Sequence, residues 1–264
     1  MSTPEQVFVN SNDYYNLLEE SKNRTRQDKV TILETVNGTK IAARHNIYDV
    51  KIIKEQFLDL QYFPDYFEDG FAPKVVLDIG GYIGDLSLYC AESFGSKVHC
   101  YEPTPQNYKI IKRNLELNPH FDDIITVHNK GVSSSNKFLE LNVQEIISEI
   151  HASTHKKYKT DVTTIQIPCV SLEDAIKELN EPKIDLLKID CEGEEFAILG
   201  NCNTKTLANR VKYLAFEYHN FVEDYKNKLE NLLNELEKDF EILKKSKKLC
   251  FLKSKRWFSK FIEK

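Results

Sequence analysis

The stretch VVLDIGGYIGDL, residues 75–86, passes from branched apolar residues into an acid and three glycines, then resumes an apolar rhythm. Glycines between a strand and a helix let the backbone pass close to a ligand and expose the first helical amides, a device shared by dinucleotide and adenosine binders. The dinucleotide fingerprint G-x-G-x-x-G, started on Gly80, requires glycine where Tyr82 and Asp85 stand, so its spacing fails. What remains is Asp78 with Gly80 and Gly84 behind it, preceded by Val75, Val76 and Leu77.

Outward from this turn the chain alternates β-branched runs with helical patterns. KVVLDI from Lys74, a helix over Ser87–Phe94, VHCY from Val98, a helix over Gln106–Leu117 and IITVH from Ile124 imply βαβ units and a parallel sheet. Residues 133–160 are polar and read as irregular. TTIQIP from Thr163 follows, then a helix opening at Ser171 with Asp174 in capping-box position, and the strands IDLLKI from Ile184 and VKYLAF from Val211. A helix over Val222–Lys238 precedes FEILK and LCFLK, which the short link SKK forces to pair antiparallel.

Upstream, Val30–His45 reads as a hairpin around an Asn-Gly turn, and Asp49–Phe67 as one amphipathic helix ending near Pro64. Residues 1–72 are therefore assigned to an N-terminal hairpin and helical extension, a cap or lid, and residues 73–264 to one α/β domain. No internal repeat interrupts either.

The 264 residues carry 36 basic and 41 acidic side chains and are 41% hydrophobic. This mildly acidic balance argues against a grip on nucleic-acid phosphates, so no nucleic-acid partner is expected. No apolar run reaches about 18 residues and no signal-type leader opens the chain, which predicts no integral membrane segment and a cytoplasmic location. Cys90, Cys100, Cys169, Cys191, Cys202 and Cys250 form no C-x-x-C pair and read as reduced, mostly buried thiols. The tail from Lys253 to Lys264 is expected to pack Trp257 and Phe258 against the body. The histidines other than His219, His151 and His155 included, show no ligand spacing.

A second cluster lies in IDLLKIDCEGEEFAILG, residues 184–200, where Asp190 and Glu192 close a buried strand. Lys188 within that strand needs a partner, because a buried unpaired ammonium is costly. In AFEYHN, from Ala215, Glu217 and His219 stand two apart and leave the same face of a strand, so Asp190, Glu217 and His219 could converge at one rim.

VLDIGGYIGDLSL (76–88), YEPTPQNYKIIKRN (101–114), VSLED (170–174), IDLLKIDCEGEE (184–195) and FEYH (216–219), in that order, resemble the FkbM-type methyltransferase family. The resemblance implies a class I methyltransferase fold: a mostly parallel seven-stranded sheet with a C-terminal antiparallel hairpin. It also implies methyl transfer from S-adenosylmethionine to a hydroxyl. Carried over by position, Asp78, Gly80 and Gly84, with Gly81 and Tyr82 in the same loop, line the methionine end of the cofactor. Asp78 either orders the turn or meets the methionine amino group; Glu102 binds the ribose; Asp190 and Glu192 lie where cofactor and acceptor meet. The family often has Ala-Asn where this chain has Gly81 and Tyr82, and Ala where it has Glu194.

A sugar hydroxyl needs help to ionise near neutral pH. His219 is one candidate base and Asp190 the other. Alternatively, Asp190, Glu217 and His219 hold Mg²⁺ or Mn²⁺, which would lower the pKa of the acceptor. The expected acceptor is a saccharide, nucleotide-linked or in a surface glycan, with a polyketide-like hydroxyl or a noncatalytic cofactor-binding module as alternatives. A homodimer is compatible with all of these.

Overall fold

The computed structural model describes residues 1–22, 29–64, 67–146, 149–153 and 162–257. The chain opens with α1 (Pro4–Val7) and α2 (Ser11–Lys22), followed by the predicted antiparallel hairpin of β1 (Val30–Glu34) and β2 (Lys40–Arg44). Asn46 caps α3 (Ile47–Ile53), its side-chain oxygen accepting the amides of Tyr48 and Asp49. The helix then widens into a π-helical turn, Lys54–Leu58, and the chain reverses at Leu60 with a left-handed φ of 53°. The single helix expected over 49–67 is thus shorter. The wider turn shifts the inward face so that the successive residues Gln56, Phe57 and Leu58 are all buried.

The main sheet contains β3 (Val75–Ile79), β4 (Lys97–Tyr101) and β5 (Ile125–His128), joined through α4 (Asp85–Phe94) and α5 (Pro105–Leu117). The stretch expected to be irregular, 133–160, instead builds β7 (Lys137–Ile146) and β8 (Glu149–Ser153), which with the preceding β6 (Gly131–Ser133) join β9 (Val162–Ser171) in a four-stranded sheet ordered β6-β9-β7-β8. Periodicity hid these strands because their described side chains form only a small buried cluster, Leu141, Val143, Ile167 and Cys169, while Phe138 is 69% exposed. His155 and Phe258 lie outside the described residues. Trp257 is half-buried under the ammonium of Lys183, 4.8 Å from its ring centroid.

Helix α6 (Leu172–Glu178) is capped as predicted by Ser171, whose hydroxyl accepts the Asp174 amide. The reciprocal half of the box is absent, since the Ser171 amide donates to Asn136. β10 (Ile184–Ile189), α7 (Glu195–Gly200), α8 (Thr204–Arg210), β11 (Val211–Glu217), α9 (Tyr225–Leu236), β12 (Phe240–Lys245) and β13 (Leu249–Ser254) complete the chain. The seven strands run in the order β12-β13-β11-β10-β3-β4-β5. β13 is antiparallel to both neighbours, and the pairs from β11 through β5 are parallel.

Buried strands of continuous apolar residues make this sheet the core. One apolar cluster joins Phe8, Leu33, Val50 and Phe57 of the extension to Val76 and Tyr213 of the sheet and Leu86 of α4, so the extension packs directly on the body. No helix among the described residues is long and apolar enough to cross a membrane.

Candidate active site

The strand order reverses between β3 and β10, and beside their carboxyl ends lies a cleft of about 380 Å³. The extension contributes Lys51, Gln56 and Tyr62 to its lining, and the second sheet contributes Leu139, Leu141 and Ile167.

The glycine turn is fixed by close approach. Gly80 has a φ of 83°, and a Cβ there would stand 1.8 Å from the Asp190 carbonyl oxygen. The amides of Gly80 and Gly81 donate to the Tyr101 carbonyl at 2.9 and 3.1 Å. At Gly81 a Cβ would lie 2.1 Å from Cys100 Sγ, so a side chain there requires the buried thiol to move. Gly84 caps α4.

Tyr82 adopts a left-handed φ of 50°, uncommon for a bulky residue. Its hydroxyl donates to Asp49 Oδ1 at 2.8 Å, and the Arg44 guanidinium sits 5.3 Å from its ring centroid. Arg44 is buried, holds Asp49 through Nε and Nη2 at 3.0 and 2.9 Å, and donates through Nη1 to Asn107 at 2.9 Å. The Asn107 amide reaches Glu102 Oε1 at 3.4 Å. A polar chain thus runs from the extension, through the glycine loop, to Glu102.

Glu102 is 4% exposed and lines the cleft. Its Oε2 accepts the Tyr82 amide at 2.9 Å and its Oε1 the Thr104 amide at 2.8 Å. Burial pushes its carboxyl above the ordinary range, with the Thr104 and Tyr82 amides acting against that rise.

Asp78 is fully buried and is not among the lining residues. Its Oδ2 accepts from the Ser87 hydroxyl at 2.8 Å, and its Oδ1 is 3.4 Å from Lys188 Nζ. Lys188 also donates to the Gly80 carbonyl at 2.6 Å, so the partner its burial demands is Asp78 together with the loop backbone. Of the two roles open to Asp78, the geometry matches ordering of the turn.

Asp190, Glu217 and His219 do converge: His219 Nε2 lies 3.8 Å from Asp190, 3.8 Å from Glu192 and 4.0 Å from Glu217. On its other side Nδ1 is 3.1 Å from Glu195 Oε1, an oxygen that also accepts the His219 amide at 2.8 Å. Glu195 is fully buried, and its Oε2 accepts the Gly193 amide at 2.8 Å. Burial opposes charge on the imidazole. The Glu195 hydrogen bond and the carboxylates of Asp190 and Glu192 outweigh it and raise the pKa to about 9. Burial and the nearby Asp190 push Glu217 up to about 7. Glu194 accepts a hydrogen bond from the Ser133 hydroxyl and so ties α7 to β6.

The divalent-metal alternative gains no support: among the described residues no three His, Cys, Asp or Glu side chains are grouped to hold a metal ion. The cation these carboxylates surround is the imidazolium itself.

Glu195 sits inside the motif IDLLKIDCEGEE but drew no role from sequence. The available signal was its place just after β10, whose Ile189 pairs with Phe216 near the end of β11, three residues before His219. Gln56 and Tyr62, which line the cleft, and Arg44 and Asp49, which reach Asn107 and Tyr82 behind it, offered no signal, because only tertiary packing brings the extension there.

The Methyltransferase FkbM domain pattern matches residues 78–242. Methyltransferase 1 of Beauveria bassiana (strain ARSEF 2860) is 27% identical over 172 residues, 56% of this chain and 65% of that protein. Methyltransferase sdnD of Sordaria araneosa is 27% identical over 189 residues, 60% of this chain and 73% of that protein. The solved METTL16 MTase domain (crystal form 2) superposes with a TM-score of 0.50 at 15% identity, covering 97% of this chain and all of that one, a likeness of fold alone. With the matched region spanning both the glycine turn and the histidine rim, the chain belongs to the methyltransferase FkbM domain family.

Proposed function

We propose that this protein transfers a methyl group from S-adenosylmethionine to a hydroxyl oxygen, and that the acceptor is a saccharide. The observation that carries this reading is the sharing of one cleft by the Gly80 turn, Glu102 and the His219 rim. The residues suit the cofactor: Glu102 lines the cleft with its carboxylate held in place by the Tyr82 and Thr104 amides and the Asn107 side chain, ready to accept from a ribose hydroxyl, and the Gly80 turn brings bare backbone to the cleft wall. When bound, the cofactor supplies an electrophilic methyl on a sulfonium.

The protein's own part is to orient and deprotonate the acceptor. Nδ1–H of His219 donates to Glu195, which leaves Nε2 to face Asp190, Glu192 and Glu217. In its neutral form Nε2 takes the hydroxyl proton, and the carboxylates stabilise the resulting imidazolium. Asp190, raised in pKa by its burial, is the second candidate base. The saccharide reading draws on the polar lining of Lys51, Gln61 and Asn220, which offers donors and acceptors to a polyol.

The test is incubation with S-adenosylmethionine and a set of nucleoside-diphosphate sugars, followed by S-adenosylhomocysteine release and product mass. A product about one methylene heavier is expected. Release with polyphenol acceptors only would refute the saccharide assignment, and binding of S-adenosylmethionine with no transfer to any acceptor would refute the catalytic one.

A further inference from the structure

If the cleft holds S-adenosylmethionine, the methionine end brings an α-ammonium that must find an anion, and Asp78 is sequestered behind the loop. A different acid faces the cleft. Asp85, the first residue of α4, lines it beside Gly80 and Tyr82 and is 7% exposed. Its side chain has no hydrogen bond to any other side chain among the described residues.

The local charge count is out of balance. Asp78 and Asp85 share a single ammonium, that of Lys188, while Asp190 faces both Lys188 and the His219 imidazole. Lys188 is already committed to the Gly80 carbonyl at 2.6 Å and to Asp78 at 3.4 Å. A carboxyl buried this way is costly to ionise alone, and burial does push Asp85 well above its ordinary range. A second cation in the cleft would relieve that cost. Since Asp85 sits at the glycine turn while Glu102 sits at the end of the neighbouring strand β4, the two acids can meet the two ends of one elongated ligand.

We propose that Asp85 anchors the α-ammonium of the methionine moiety, the cofactor-binding role for which Asp78 is misplaced. This deepens the S-adenosylmethionine reading of the cleft and rests on it.

Titration calorimetry with S-adenosylhomocysteine and with 5′-methylthioadenosine, which lacks the amino-acid end, tests the anchor. Asp85→Asn is expected to weaken S-adenosylhomocysteine at least tenfold and to leave 5′-methylthioadenosine within twofold. Equal losses for both ligands would mean a disturbed loop and would overturn the proposal, as would no loss for either. Should the Asn variant fail to fold, the unaltered protein decides. Its preference for S-adenosylhomocysteine over 5′-methylthioadenosine must exceed tenfold, and a ratio near one overturns the anchor. If the unaltered protein binds neither nucleoside, the cofactor reading itself falls, an outcome distinct from failure of the anchor alone.

Discussion

Glu195 grips His219 twice, one carboxylate oxygen accepting the histidine's amide at 2.8 Å and standing 3.1 Å from its Nδ1. The double contact fixes both the backbone and the ring, and it decides which nitrogen faces the cleft. Glu195→Gln keeps the size and removes the charge. The expected result is a fall in the limiting kcat, measured above pH 9 where the imidazole is neutral, of about tenfold or more with cofactor affinity unchanged, and a lower His219 pKa in an NMR titration. A variant with the original kcat would show that the ring needs no orienting carboxylate.

The pH dependence has a definite sign. His219 is raised to about 9 in the folded protein, so at neutral pH the imidazole is mainly charged and cannot accept a proton. If it is the base, kcat with saturating substrates climbs with pH and levels off near 9. The same shift makes a stability contribution that is fully present below the ordinary histidine pKa and is lost as pH rises through about 9. A rate limb in the acidic range that survives His219→Ala would assign the base to Asp190.

Gln56, on the π-helical turn, is 1% exposed, and neither end of its carboxamide has a hydrogen-bond partner among the described residues. An unsatisfied buried polar group costs roughly 1–3 kcal/mol. Gln56→Met should therefore raise the midpoint of thermal unfolding by at least about 2 °C. A lowered midpoint would mean that the carboxamide is satisfied by water.

Two glycines with positive φ separate strain from collision. Gly95 has a φ of 63° and open space around its missing Cβ, whereas at Gly80 that atom would collide with the Asp190 backbone. Gly95→Ala should cost about 1 kcal/mol in urea unfolding. Gly80→Ala must part the ends of β3 and β10 and should cost several times as much. Equal costs would refute the close approach.

The main sheet was legible in sequence because its strands are apolar along their length and its helices are periodic; IDLLKI and VKYLAF fall where β10 and β11 stand. The second sheet was not, since it carries exposed apolar residues such as Phe138 and its buried cluster among the described residues is small. At the cleft, the meeting of Asp190, Glu217 and His219 followed from the strand ends, although β11 stops at Glu217 and His219 is placed by Glu195 and not by strand alternation. The burial of Asp78 did not, because Lys188 and Ser87 reach it only in the folded chain. The link from Tyr82 to Asp49 joins residues 33 apart and is likewise set by tertiary packing.

The central claim is that one cleft carries the cofactor from Glu102 to the His219 rim, and a crystal structure with S-adenosylhomocysteine tests it most directly. The account predicts ribose hydroxyls on the Glu102 carboxylate, an amino-acid end beside the Gly80 turn, and a sulfur turned toward Asp190 and His219. The nucleoside bound in any other part of the molecule, or reversed within the cleft, would contradict it.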